Sequence, residues 1–250
     1  DGLNKDYPRL KISVITGFCA SNKKGQTTLL GRNASDYSAA IVAKYTHSES
    51  VELFGDTAGI LSADPDYVPG ANTITKLSPS DALQLAKSGS GVLHPRTIEP
   101  LIGTEIQLQL SDIHNCGSTI ISSLIQQREQ SYIATWSPVK NPALSKTPEL
   151  PTQLNRWQNN VPEASLISVF LADHLNAKYC LNTLLKLASH ADIPVLQFKH
   201  FISSKNLAFS IHRRDLERFT RLAHSALHPL HQEIAIAIIG ASGKVGRKTL

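Results

Sequence analysis

Between residues 26 and 39 the chain reads Gln-Thr-Thr-Leu-Leu-Gly-Arg-Asn-Ala-Ser-Asp-Tyr-Ser-Ala, and three of these side chains could do chemistry: Arg32, Ser35 and Asp36. A guanidinium is a planar fork that grips a carboxylate through two parallel hydrogen bonds. A carboxylate nearby complements a cation, and the hydroxyl beside it can donate or accept. Gly31 hinges the loop, and Asn33 follows the arginine. Behind the loop, Ala39, Ala40, Ile41 and Ala43 predict an apolar helix over 37–44. A strand-to-helix turn of this kind aims backbone N–H groups and the positive helix end at an anion. The same residues also read as an ordinary polar loop in which Ser35 is the N-cap.

The elements that must hold this loop follow from the apolar pattern. Strands are expected over 11–18 and 26–30, joined by a polar turn at 21–25. A short strand at 51–54 precedes a loop at 62–70 punctuated by Pro65 and Pro69. Ser78, Pro79, Ser80 and Asp81 place a cap and an N-terminal proline where a helix begins. A further helical turn follows His94 and Pro95, and 105–110 reads as a strand. Strands alternating with helices predict an α/β layered sheet. From 131 to 162 the text turns to Pro, Asn, Gln and Lys, which reads as a linker. Order then returns as βαββα: 166–172, 177–190, 195–202, 207–211 and 215–227. At the far end an apolar strand from Glu233 runs into a turn with Gly240, Gly243 and Gly246. Such a turn opens a dinucleotide-binding βαβ unit.

With 250 residues there is enough chain for one large and one small domain. The net charge of +5 suits acidic small substrates. Dispersed basic residues and few aromatics argue against nucleic acid. No apolar run approaches the roughly 20 residues of a membrane span, and no signal segment is visible, so a cytoplasmic protein without a membrane partner is expected. Cys19, Cys116 and Cys180 lack metal spacing and fit reduced thiols. Of the ten histidines, no i, i+4 pair on a clear helix face stands beside a carboxylate. Surface histidines and no bound metal are expected.

Four stretches, in order, carry a resemblance. The first joins Thr16, Gly17 and Phe18 to Gly25, Gln26, Thr27 and Thr28; the second is the arginine loop itself, from Leu30 to Ala39. The third runs Gly55-Asp56-Thr57-Ala58-Gly59-Ile60 through Ser62-Ala63-Asp64-Pro65, and the fourth is Val92-Leu93-His94-Pro95-Arg96-Thr97. With the glycine-rich turn at the far end, the chain is similar to the bifunctional aspartokinase–homoserine dehydrogenase family. The run from Gly103 to Leu110, closed by Gly117, Ser118 and Thr119, leans toward its methionine-branch members.

The resemblance implies an amino acid kinase fold, with residues 1–125 its C-terminal lobe. Residues 126–162 become a linker or degenerate ACT remnant, and 163–231 an ACT-like regulatory domain that would pair two subunits in a homodimer. Residues 232–250 would open the homoserine dehydrogenase domain. The implied activity is phosphorylation of the β-carboxylate of L-aspartate by ATP with Mg, the first step toward methionine, threonine and lysine, with NADP serving the dehydrogenase part. Arg32 would grip the aspartate carboxylate, Ser35 and Asp36 would fix the substrate with Gly31 and Asn33, and Asp36 would take its ammonium. Asp56 and Gly59 fall where the family meets the nucleotide, although Asp56 also reads as a plain turn residue.

Departures from the family pattern lie mostly on the nucleotide side. Ala34 replaces a glycine, Leu61 a tyrosine, Asp66 an arginine and Gly91 a lysine. Two cations are lost there and one carboxylate gained, which weakens ATP binding through repulsion of the phosphates. In the turn before the third ACT-like strand, Phe201 and Ile202 stand where threonine-controlled relatives place a glutamine and a glycine. No Lys-Phe-Gly-Gly-Thr-Ser run occurs, and no acidic residue follows the far glycine turn. A fragment holding neither complete active site is therefore expected. The alternative is a degenerate kinase domain that serves as scaffold and dimerisation module for the dehydrogenase.

Overall fold

A computed structural model describes residues 12–31, 33–88, 91–114, 117–137 and 164–229. Its first element is a small hairpin, β1 (Cys19–Ser21) with β2 (Thr27–Leu29), closed by Gly25 at φ 78°. The longer strand expected over 11–18 is not formed. Residues 12–17 have no regular structure, Ile12 and Val14 are exposed, and Phe18 takes φ 70°, which breaks an extended run immediately before β1.

Helix α1 (Ala34–Thr46) starts before Ser35, so the expected serine cap is not used. Asn33 is the N-cap at φ 55° with no side-chain cap bond. Gly31 at φ 97° and Asn33 together reverse the chain through left-handed backbone, so the turn does not depend on a capping hydroxyl. The helix buries only small residues, Ala34, Ala40 and Ala43, which lets it lie close to the layer beneath.

That layer is a mixed sheet ordered β3-β5-β6-β4, from β3 (Ser50–Gly55), β4 (Lys76–Leu77), β5 (Gln107–Asp112) and β6 (Ser118–Ile121). β3 runs parallel to β5, β6 antiparallel to β5, and β4 parallel to β6. The β3-to-β5 crossover carries β4, α2 (Pro79–Lys87) and the short α3 (Pro95–Ile98). Ser78 caps α2 as its sequence predicts: its Oγ accepts the Asp81 N–H at 3.1 Å, with Pro79 at the first helical position. His94 caps α3 in the same way, Nδ1 accepting from the Arg96 N–H at 3.2 Å.

A second, fully antiparallel sheet is ordered β7-β8-β10-β9, from β7 (Tyr132–Trp136), β8 (Ala164–Phe170), β9 (Val195–Phe201) and β10 (Asn206–His212). With α4 (Ala177–His190) and α5 (Leu216–Leu227), β8 to α5 form the expected βαββα unit. The addition is β7. Within the stretch expected to be a linker, five residues form a wholly buried edge strand paired to β8. The run Tyr-Ile-Ala-Thr-Trp is aromatic and β-branched enough for a strand, but its brevity among polar and proline-rich text hides it.

The two-residue period of this sheet separates two cores. Ile133, Ile167 and Val169 pack beneath α4 and α5, where Phe209 meets Phe219 at 5.3 Å. Tyr132, Ala134 and Phe170 point the other way and join the core of the first sheet. At that seam lies the buried Arg128. Its guanidinium sits 5.5 and 5.6 Å from the rings of Tyr132 and Phe170, which stack at 4.6 Å. It donates bidentately to the Asp81 carboxylate on α2, and to the carbonyls of Leu171 at 3.0 Å and Ser204 at 3.2 Å.

Removing one side of a buried, hydrogen-bonded ion pair strands the other charge. Arg128→Ala is therefore expected to lower unfolding stability by about 3–5 kcal/mol. Arg128→Lys, which keeps the charge but not the fork, should lose less. Urea unfolding followed by circular dichroism checks both.

Candidate functional site

After β3 the chain enters a tight loop whose shape is set by close approach. Gly59 sits at φ 81°, and a Cβ there would stand 2.5 Å from Thr119 Oγ1 and 2.7 Å from Thr119 N. Thr119 is fully buried; its hydroxyl accepts the Ile60 N–H at 2.7 Å and donates to the Ile74 carbonyl at 2.6 Å. One threonine thus pins the outgoing and returning arms of the segment between β3 and β4.

Two cavities open against this loop. The larger, about 260 Å³, is walled by Ile60, Leu61, Ala63 and Pro65 on one side and Ile133 and Ala134 of β7 on the other. Leu85, Gly91 and Val92 close its back, while Thr57, Asp64 and Thr135 supply polar groups. Among the described residues no lysine or arginine lines it. Apolar walls with a few polar groups suit a flat heterocycle better than a polyanion. The smaller cavity, about 70 Å³, holds Asp36 between Phe54, Leu93, Leu110 and Ser111. The two share Thr57, Gly59 and Val92. Burial pushes the Asp36 carboxyl above its ordinary pKa, and among the described residues no cation pairs with it. A cation brought into the small cavity would favour its charged form.

Of the residues expected at the site, Asp36 and Gly59 line these cavities. Gly31, Asn33 and Ser35 are exposed around the loop, and Arg32 lies outside the described residues. The first motif is brought against the second: a Cβ on Gly17 would come within 3.2 Å of Ser35 Cα. Asp56 is exposed and outside the lining of either cavity. Gly240, Gly243 and Gly246 lie outside the described residues. Among the departures, Leu61 and Gly91 line the larger cavity. Asp66 does not; it is exposed, with its N–H bonded to Asp64 Oδ1 at 3.1 Å. Thr57, Asp64 and the three β7 residues were not anticipated. Thr57 and Asp64 stand inside a quoted motif, but nothing local signals that β7 would arrive here.

The histidines bring a correction. His224 and His228, four apart at the end of α5, are not surface residues; their rings stack at 4.5 Å, and His224 is buried. His224 Nε2 lies 2.9 Å from Ser62 Oγ in the loop that walls the larger cavity. Burial, helped by His228, pushes His224 down to about 4. Among the described residues no cluster of three metal-ligating side chains occurs, and no helix is long and apolar enough to cross a membrane.

A lobe of the amino acid kinase fold joined to an ACT-like sheet is the architecture that these elements form. Residues 6–111 match the amino acid kinase family. By sequence the relatives are aspartokinases. The chain is 40% identical over 127 residues to the bifunctional aspartokinase/homoserine dehydrogenase 2 of Escherichia coli K12, covering 50% of this chain and 16% of that protein. It is 33% identical over 143 residues to the aspartokinase of Rickettsia felis, covering 56% of this chain and 36% of the relative. The chain therefore spans well under half the length of these relatives. Among solved structures, E. coli aspartokinase III in complex with aspartate and ADP superposes with a TM-score of 0.65 at 20% identity, covering 84% of this chain and 59% of that one. The aspartate kinase of Clostridium acetobutylicum superposes equally well, 0.65 at 17% identity, over 85% and 62% of the two chains. These likenesses establish the fold across both sheets.

Two outcomes follow from the site's geometry. Gly59→Ala must relieve both a left-handed φ and the contact with Thr119, and should cost at least about 2 kcal/mol in urea unfolding. His224 stays neutral in the folded chain while its unfolded counterpart protonates near 6.5. Its contribution is thus complete above pH 6.5 and lost as pH falls toward 4. Unfolding midpoints measured across that window should fall less steeply in His224→Phe than in the wild type.

Proposed function

We propose that this chain is the C-terminal lobe and ACT-like unit of an aspartate kinase, which transfers the γ-phosphoryl group of ATP to the β-carboxylate of L-aspartate. The observation that supports this most directly is that two neighbouring cavities share Thr57, Gly59 and Val92 in their walls, one holding Asp36 and the other largely apolar. A phosphoryl transfer between two small molecules needs two such sites side by side. The aspartate carboxylate is already a nucleophile: one of its oxygens attacks the γ-phosphorus, the bond to the bridging oxygen of ADP breaks, and no proton has to move. Catalysis then consists of positioning and of absorbing charge.

Each residue suits its role. The Arg32 fork grips a substrate carboxylate, Asp36 takes the ammonium, and Ser35 supplies a hydroxyl at the first turn of α1, whose positive end favours an anion. The base of the nucleotide fits between Leu61 and Ala134. Mg accompanies the phosphates, whose cationic partners come from outside the larger cavity. In the full-length protein the far glycine turn would bind the NADP of a homoserine dehydrogenase, and the ACT-like sheet would join two subunits.

A second reading, a degenerate kinase unit kept as scaffold, draws on one observation: among the described residues no lysine or arginine lines the larger cavity. Aspartate-dependent ADP formation by the chain with its native flanks separates the two. Under the first reading turnover is present, Arg32→Ala lowers it at least about 100-fold, and Asp36→Asn acts mainly by raising KM for aspartate about tenfold or more. Absent turnover beside intact homoserine oxidation would establish the scaffold.

A further inference from the structure

The wall of the larger cavity is not held by the kinase-like sheet alone. Residues 61–72 form a loop closed at its neck, where the Ser62 N–H donates to the Asn72 carbonyl at 2.8 Å and the Asn72 N–H donates to Ser62 Oγ at 2.9 Å. Further ties to this loop come from the second sheet and its helix. The Ile133 N–H of β7 donates to the Ser62 carbonyl at 2.8 Å, and Arg221 of α5 donates to the Tyr67 carbonyl at 2.7 Å. Ala63 and Val68 are buried in the core under α4 and α5. At the centre stands the buried contact between Ser62 Oγ and His224 Nε2.

Ser62 itself faces away from the cavity, but its neighbours Leu61 and Ala63 line it, together with Asp64 and Pro65. The opposite wall is β7, to which the Ser62 backbone is bonded. The spacing between the walls therefore depends on where Ser62 is held. Its carbonyl and amide are satisfied by backbone, which fixes its height. Its hydroxyl is held by the Asn72 amide and by one group from α5, which fixes its rotation about the strand direction.

We infer that Ser62 and His224 are positioning residues for nucleotide binding: their hydrogen bond is a clasp by which α5 of the ACT-like unit sets the gap between the 61–65 wall and β7. This rests on the nucleotide reading of the larger cavity. It makes the regulatory unit a structural part of that cavity within one chain. A shift of α5 along its axis then changes the cavity without passing through the first sheet.

The test uses the chain with its native flanks, ADP as probe, and two variants, Ser62→Ala and His224→Phe. Amide hydrogen exchange over 61–72 and at Ile133, measured without ligand, should rise about tenfold in His224→Phe, the scale of one lost buried hydrogen bond, and by at least as much in Ser62→Ala, which also loses the bond from the Asn72 N–H. The Kd for ADP from calorimetry should rise by a similar factor, while KM for aspartate stays within twofold. The double variant should be no worse than the poorer single one, because both remove the same bond. Unchanged exchange in a folded Ser62→Ala chain overturns the clasp. Faster exchange with unchanged ADP affinity overturns its positioning role. If His224→Phe does not fold, Ser62→Ala decides alone. A wild type that binds no ADP defeats the nucleotide reading, and this is distinguishable because the exchange comparison needs no ligand.

Discussion

The Arg128 guanidinium is the constraint on which the arrangement of the two sheets depends. It is buried beside the stacked Tyr132 and Phe170 rings and reaches three separate pieces of chain: Asp81 on α2, Leu171 after β8 and Ser204 in the β9–β10 turn. A buried ion pair is a weak source of net stability, because desolvation offsets most of its attraction. Its geometric demand is strong, since five N–H donors in one plane tolerate few placements. The Arg128 backbone is held as well: its N–H donates to Asp173 Oδ2 at 2.8 Å. Burial pushes the Asp173 carboxyl up, but that bond, the Lys205 ammonium and the Arg128 charge together hold it below its usual range. Four residues later β7 begins. Where Arg128 sits therefore decides where Ile133, Ala134 and Thr135 arrive, and with them one wall of the larger cavity.

Close approach does the equivalent work on the other wall. Gly59 against Thr119, Gly17 against Ser35 and the alanines of α1 all bring backbone to within contact of backbone or short side chains. Such contacts carry little free energy individually but leave few alternative positions, as the close packing of interiors requires. A reaction that transfers a phosphoryl group between two bound anions asks for placement more than for reactive side chains. It is consistent with that demand that the described part of the site is rich in glycines and threonines, with Asp36 and Asp64 as its partly buried carboxylates.

Much of this was legible. The four motifs lie in turns and at the first turns of helices, where residue identity is dictated by local backbone geometry, so they survive in one dimension. Ser78 as a cap, the βαββα order and the Asp36 position follow from periods and short-range chemistry. The strand expected before β1 was misread because apolar residues at 12, 14 and 15 imitate a buried strand while lying exposed. The cap assigned to Ser35 failed because left-handed Gly31 and Asn33 had already turned the chain. His224 was passed over because its partner, Ser62, is 162 residues away.

By itself, then, the sequence determined the kinase-like motifs, the layered α/β class and the existence of a second small unit, since each is written in residue types a few positions apart. Only the tertiary structure decided that the second unit reaches into the first. The strand β7, the Arg128 seam and the Ser62–His224 contact all join segments far apart in the chain, through side chains whose types are common and whose partners no local pattern names. Burial makes these pairings: a guanidinium, an imidazole and a serine hydroxyl, once removed from water, must find one another or remain unsatisfied.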